Sequence, residues 1–289
     1  MFVCAGDLNV RYEDRGPRGA PTVVLLHGWP DDASTWDAVA PHLNAAGLRT
    51  IAPTWRGFGE TSFLEPTALR TGDSGILAMD VIALCDALGI DEVCVAGHDW
   101  GSNAAEAMAV GWPARVRRLA MLSTPPRLGG MPTPAFGQAH RQWYHWFQAT
   151  RRGAEAVAAD PRGFAQIMWR NWSPPGWFDP VTFRRVAHAF DNPDWVAVTL
   201  HSYRSRWGEA EPDARSAWLE DRVKTAKSLA LPALYIQGEV DGVNPPETSE
   251  NTAAKFSGPF QRVILPGVGH FPSREQPNAV AKLLCAHFT

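Results

Sequence analysis

The sequence predicts an α/β fold, a mostly parallel sheet covered by helices on both faces and interrupted once by an inserted helical cap. Three observations predict it. Short, continuously apolar runs alternate with helix-periodic stretches as far as Ser123, the pattern of parallel strands and crossover helices. The alternation stops at Thr124-Pro125-Pro126, and from there to about Glu220 only helical segments, many Trp and proline-rich breaks follow. It resumes at Ala233-Leu234-Tyr235-Ile236-Gln237.

Taken in order, Leu8 to Tyr12 alternates weakly and reads as an edge strand before a Gly/Pro-rich turn from Gly16 to Pro21. Residues 22–26 are apolar throughout, a buried strand ending in the loop His27-Gly28-Trp29-Pro30. Helical spacing covers 32–45, a strand 48–52, a loop 53–59, and an amphipathic helix 76–88 with Asp80 and Asp86 on its polar side. Val93 to Ala96 reads as a further buried strand, with helix formers from Asn103 to Ala109 and another strand over 116–123. The chain thus divides into a first part of the core over 1–125, a helical cap over 126–220 and a second part of the core over 221–289. The last part carries strands 233–237 and 261–265 and a terminal helix 278–287.

Composition bounds the function. With 289 residues, 45% hydrophobic and 20% charged, the chain can bury a large core as one main domain. A net charge of -3 argues against nucleic acid or an anionic membrane as partner. No apolar run approaches the roughly 18 residues of a membrane span. The first residues lack the basic and apolar regions of a signal peptide. Cys4, Cys85, Cys94 and Cys285 are far apart without a C-x-x-C spacing, which fits reduced thiols in a cytoplasm and no metal site. Most of the 13 Trp lie between Trp100 and Trp218, where they form core or line an apolar pocket.

The chemistry centres on Gly97-His98-Asp99-Trp100-Gly101, which stands where a strand turns into a helix. A sharp turn there lifts Asp99 clear of the sheet, and the glycines let strand and helix approach closely. Alone, Asp99 reads equally well as a helix N-cap. Three more loops follow strands: His27-Gly28-Trp29-Pro30, Gly238-Glu239-Val240-Asp241-Gly242 and Gly267-Val268-Gly269-His270-Phe271. Ligands of such sheets bind beyond the carboxyl ends of the strands. The four loops therefore offer, at one edge, a carboxylate nucleophile, an acid and a His in the chain order nucleophile, acid, His. Taken singly, Asp241 is also a plausible turn residue and His270 a plausible backbone-bonded His.

These motifs, with Arg56-Gly57-Phe58-Gly59, span nearly the whole chain. In them the sequence resembles an α/β-hydrolase of the epoxide hydrolase and haloalkane or fluoroacetate dehalogenase group. The resemblance implies a cofactor-independent hydrolase whose Asp99 attacks a saturated carbon to form an alkyl ester. His270, oriented by Asp241, then activates water, and the backbone N–H groups of Trp29 and Trp100 hold the oxyanion. A carboxylate suits this role because it is already anionic at neutral pH. Ser102 lies one residue beyond the second Gly and is rejected as nucleophile, which disfavours an ordinary Ser esterase. Members with similar lid segments imply His145 and Tyr203, with Trp146, as donors to a leaving oxygen or halide. Tyr144 and Trp143 read as lid core.

Two departures narrow the choice. Trp100 and Asn103 stand where fluoroacetate dehalogenases carry arginines, and Trp29 where haloalkane dehalogenases commonly carry Asn. The leading expectation is an epoxide hydrolase giving vicinal diols from a small apolar organic substrate and water. The alternatives are a dehalogenase, with Trp100, Trp146, His145 and Tyr203 as halide donors, and a binding protein without turnover. The oligomeric state stays open, a homodimer included.

Overall fold

The computed structural model describes residues 1–289. Nine strands form one sheet: β1 (Phe2–Ala5), β2 (Leu8–Arg15), β3 (Thr22–Leu26), β4 (Arg49–Pro53), β5 (Ser62–Phe63), β6 (Val93–His98), β7 (Val116–Leu122), β8 (Ala233–Gly238) and β9 (Phe260–Leu265). Their order is β1-β2-β4-β3-β6-β7-β8-β9, with β5 paired to β2. The six strands from β4 to β9 in this order are parallel; β1, β2 and β5 make antiparallel pairs at one end.

Every residue of β3, β6 and β8 is buried, as their apolar runs require of strands covered on both faces. The period of two sorts β3 between two cores. Val24 and Leu26 join the cluster that contains helices Ser74–Ala87 and Trp100–Gly111. Val23 and Leu25 join the cluster under helices Ala40–Ala45 and Pro277–Phe288.

The structure departs from the sequence reading in three places. β2 is not the sheet edge, because β1 folds back on it through Gly6 at φ +56°. Four residues, of which only Ala5 is buried, carry too little pattern to announce such a strand. The expected helix over 32–45 is split into a 3₁₀ turn, Ala33–Trp36, and the helix Ala40–Ala45. Pro41 is responsible: with no N–H it cannot continue a helix, but it fits the first turn of a new one. Finally, the boundary expected at 220 falls inside the helix Ala217–Thr225. That helix packs on Ser74–Ala87 and Trp100–Gly111 through Leu219 and Val223, so it belongs to the layer covering the sheet.

Between β7 and that helix the chain is helical without a strand, through Phe136–Arg141, Trp143–Ala149, Arg151–Ala159, Pro161–Trp172, Pro180–Ala187 and Trp195–Arg206. Local sequence sets several of the starts. Thr150, Asp160 and Asp179 each cap a first turn with a side-chain oxygen, and Pro161 and Pro180 follow as first helical residues. Trp195 and the rings of Tyr144 and Tyr203 from this segment lie against Trp29, beyond the carboxyl end of β3. No helix is long and apolar enough to cross a membrane. All four cysteines are unpaired.

Candidate active site

Asp99 sits between β6 and the helix Trp100–Gly111 with φ +52° and ψ -111°, a conformation costly for a residue with a Cβ. The turn is possible because its neighbours have no side chains. A Cβ on Gly97 would lie 2.0 Å from the carbonyl oxygen of Gly101, and one on Gly101 2.3 Å from that of Leu26. Gly28 has the same need, since a Cβ there would meet Asp99 Cβ at 2.6 Å. The side chain of Asp99 makes no N-cap hydrogen bond to its own helix, which disposes of the capping alternative. Its Oδ1 instead accepts the backbone N–H of Trp29 at 2.8 Å, and Thr124 Oγ1 lies 3.4 Å from its Oδ2.

Loops after β8 and β9 supply the rest. Asp241 Oδ2 is 2.9 Å from His270 Nδ1, while its Oδ1 accepts the backbone N–H groups of Val243 and Asn244 at 2.8 and 2.9 Å. His270 Nε2 faces Asp99 Oδ2 at 3.7 Å, beyond hydrogen-bond length, and has no other partner. His270 is further held by its carbonyl, which accepts from Ser123 Oγ and contacts His98 Nε2 at 2.7 Å.

The electrostatics follow from burying one imidazole between two carboxylates. Burial alone lowers the His270 pKa, but the charge and hydrogen bond of Asp241, together with Asp99, raise it to about 10. Burial pushes Asp99 upward, and the neighbouring His270, His98 and the Trp29 N–H outweigh it, holding the carboxyl below its ordinary value. The Asp99 carboxylate and the charged form of His270 therefore favour one another.

Opposite Asp99 stand three side chains of the helical insertion. The Tyr203 hydroxyl accepts from Trp100 Nε1 at 3.3 Å. The Tyr144 ring stacks on Trp29 at 5.8 Å and meets the Tyr203 ring edge-on at 5.4 Å. Burial raises both phenol pKa values well above 10, and the charge of Asp99 adds to it, so both keep their protons. His145 Nδ1 accepts from Trp207 Nε1 at 3.0 Å, which leaves the proton on Nε2. Burial holds this imidazole neutral, and its Nε2 is unpartnered. Asp99, Tyr144 and His145 line a cavity of about 490 Å³.

The sequence-predicted residues Asp99, His270, Asp241, Trp29, Trp100, His145 and Tyr203 are thus brought together. Trp146 is not: it is 37% exposed and packs on Trp207 at 4.7 Å, because it lies on the outer side of a helix whose inner side carries Tyr144 and His145. Tyr144, read from sequence as lid core, is buried and also lines the cavity. Thr124 was missed; the Thr-Pro-Pro break that marks the start of the insertion was the available signal. Ser102 is buried and bonds the carbonyl of Gly97 and the N–H of Leu122, on the sheet side of its helix. Arg56 pairs with Asp80 and does not line the cavity, while Phe58 packs edge-on against Trp100.

Residues 21–277 match the family of the α/β-hydrolase fold. Epoxide hydrolase B of Mycobacterium tuberculosis is 34% identical over 91% of this chain and 90% of its own length. Epoxide hydrolase A of the same organism is 27% identical over 100% and 96%. The chain belongs to the epoxide hydrolase group of the α/β-hydrolase fold family. Among solved structures, a Klebsiella pneumoniae protein provisionally named an epoxide hydrolase superposes with a TM-score of 0.94 at 36% identity, covering 100% of this chain and 96% of its own. Epoxide hydrolase A of Mycobacterium thermoresistibile superposes with a TM-score of 0.80 at 26% identity, covering 99% and 97%. As an α/β-hydrolase of this group, the protein is an enzyme.

Proposed function

We propose that this epoxide hydrolase opens its substrate by attack of Asp99 and hydrolyses the resulting ester with His270, under a cap formed by the helical insertion. The observation that carries the reading is the placement of Asp99. Its carboxylate is anionic and anchored by Trp29 through one oxygen, the protonated Tyr144 lines the same cavity, and the protonated Tyr203 packs against Tyr144 and Trp100. In the first step a carboxylate oxygen attacks a ring carbon, the carbon–oxygen bond breaks, and the epoxide oxygen takes a proton from Tyr203 or Tyr144. The phenol donates more strongly to the developing alkoxide than to the neutral ether, so it lowers the barrier. The imidazolium proton of His270 then restores the phenol and leaves a neutral base.

In the second step His270 removes a proton from water, and the hydroxide attacks the Asp99 ester carbonyl. Nε2 is 3.7 Å from Oδ2 and has no hydrogen-bond partner, so it is free to take a proton from a water beside the ester. The oxyanion is held by Trp29 N–H and by Trp100 N–H, which stands at the helix start where N–H groups have no intrahelical acceptor. Collapse releases the vicinal diol and regenerates the Asp99 carboxylate and the imidazolium. Asp241, locked by two backbone donors, keeps the ring oriented throughout. A halide needs no proton, so two protonated phenols suit an epoxide better, and Trp146 is not at hand to help hold a halide.

The test is to stop the second step. His270→Gln incubated with a terminal epoxide should accumulate protein heavier by the mass of the epoxide, with the adduct mapped to Asp99. An adduct elsewhere, or none with a substrate that the wild type turns over, would sink the mechanism.

A further inference from the structure

Two polar groups in the Asp99 cavity are used by nothing described so far. Asn103 lies one helical turn beyond Asp99 and is 1% exposed, yet neither its Nδ2 nor its Oδ1 has a hydrogen-bond partner. Buried amides in proteins are nearly always paired, and leaving one unpaired is costly. Arg206 is one turn beyond Tyr203 on the helix Trp195–Arg206. It is half-buried, its guanidinium stands 5.3 Å from the centre of the Tyr203 ring, and no carboxylate pairs with it.

The other cations around the cavity are engaged. Arg127 is held by Glu106 and Glu220, and Lys255 donates to the carbonyl of Leu128. Asn103 and Arg206 both line the cavity of Asp99, Tyr144 and His145. Each is displaced from the reacting groups by one turn, which along a helix is about 5 Å.

We propose that Asn103 and Arg206 form a subsite for a carboxylate carried a few carbons from the epoxide ring, so that the preferred substrate is an epoxy acid. This deepens the reading of Asp99 and the two phenols as an epoxide-opening site, and rests on it. The amide Nδ2–H₂ gives a hydrogen bond, and the guanidinium a second bond with charge, to an anion that would otherwise be repelled by Asp99. An alkyl epoxide of the same length leaves both groups unpaired. A site built to pair a polar group rejects the analogue lacking it.

The experiment compares the terminal epoxide of hexenoate, its methyl ester and the epoxide of the corresponding alkene. Wild type should favour the acid in kcat/KM by about tenfold or more, and added salt should raise KM for the acid alone. Arg206→Gln and Asn103→Leu should each lose roughly tenfold on the acid, chiefly in KM, and Arg206→Lys should recover part of it. Asn103→Asp, of equal size, should be worse than Asn103→Leu on the acid because it places a like charge beside the carboxylate. Variants that lose equally on acid, ester and alkyl epoxide, or a wild type that prefers the alkyl epoxide, would overturn the subsite while leaving the epoxide reading intact. Failure of all three epoxides to label or turn over would instead overturn the epoxide reading, and the subsite with it.

Discussion

Replacing Asp99 by Asn should make His270 titrate near neutral pH. The carboxylate stands 3.7 Å from His270 Nε2, and the imidazole is fully buried. At an effective dielectric of about 20, a unit charge at that distance is worth about 4 kcal/mol, roughly three pH units. The Asp241 contact at 2.9 Å remains, so the His270 pKa should fall from about 10 to about 7. Asp99→Asn is also a charge analogue of the alkyl ester, which is neutral. Formation of the ester would thus convert His270 from an imidazolium into an available base when base is needed. The assay is an NMR titration of the His270 imidazole in wild type and Asp99→Asn. Stability gives a second readout. A pKa raised above the unfolded value contributes stability that is complete below about 6.5 and is lost as pH rises through the folded pKa. In wild type that loss extends to about 10; in Asp99→Asn it should end near 7. Titration curves within one pH unit of each other would refute the argument that Asp99 gates the base.

Two further outcomes are expected. Tyr203→Phe and Tyr144→Phe should each slow single-turnover alkylation by an epoxide, by roughly 10²- to 10⁴-fold for the principal proton donor, with the double variant falling short of the product of the two; unchanged alkylation in both would remove the phenols from the mechanism. Ser102→Ala should lower unfolding free energy by about 1–3 kcal/mol, because the buried N–H of Leu122 loses its acceptor, while turnover per folded molecule stays within a few-fold in a denaturant titration paired with activity; lost turnover at unchanged stability would reinstate Ser102 as a reacting group.

The strands were legible because each covered strand is a short apolar run, and burial on both faces leaves no polar alternation to confuse it. The loops at their ends were legible because sharp turns and close approaches demand glycine, as at Gly28, Gly97 and Gly101, and glycine marks the chain visibly. Asp99, Asp241 and His270 could be picked out by chain order and by their place after strands, since parallel strands present all their carboxyl ends at one edge. The insertion was legible only as helical. Which of its aromatics turn toward Asp99 depends on the rotation of one helix about its axis, and Trp143, Tyr144, His145 and Trp146 differ from one another by successive turns of about 100°. Composition is silent on that rotation, so Trp146 was assigned to the inner side although it faces outward, and Tyr144, rightly read as buried, was not also seen to line the cavity. Whether a polar residue finds a partner is likewise decided only when distant segments meet. Arg127 acquires Glu106 and Glu220, Arg56 acquires Asp80, Asn103 acquires no hydrogen-bond partner, and Arg206 acquires the Tyr203 ring but no carboxylate. The sequence determined the sheet and the place of Asp99, Asp241 and His270 at its edge, which depend on local pattern and strand polarity. Only the tertiary structure decided which aromatic and polar side chains of the insertion lie near Asp99, which depends on how separate helices are turned against one another.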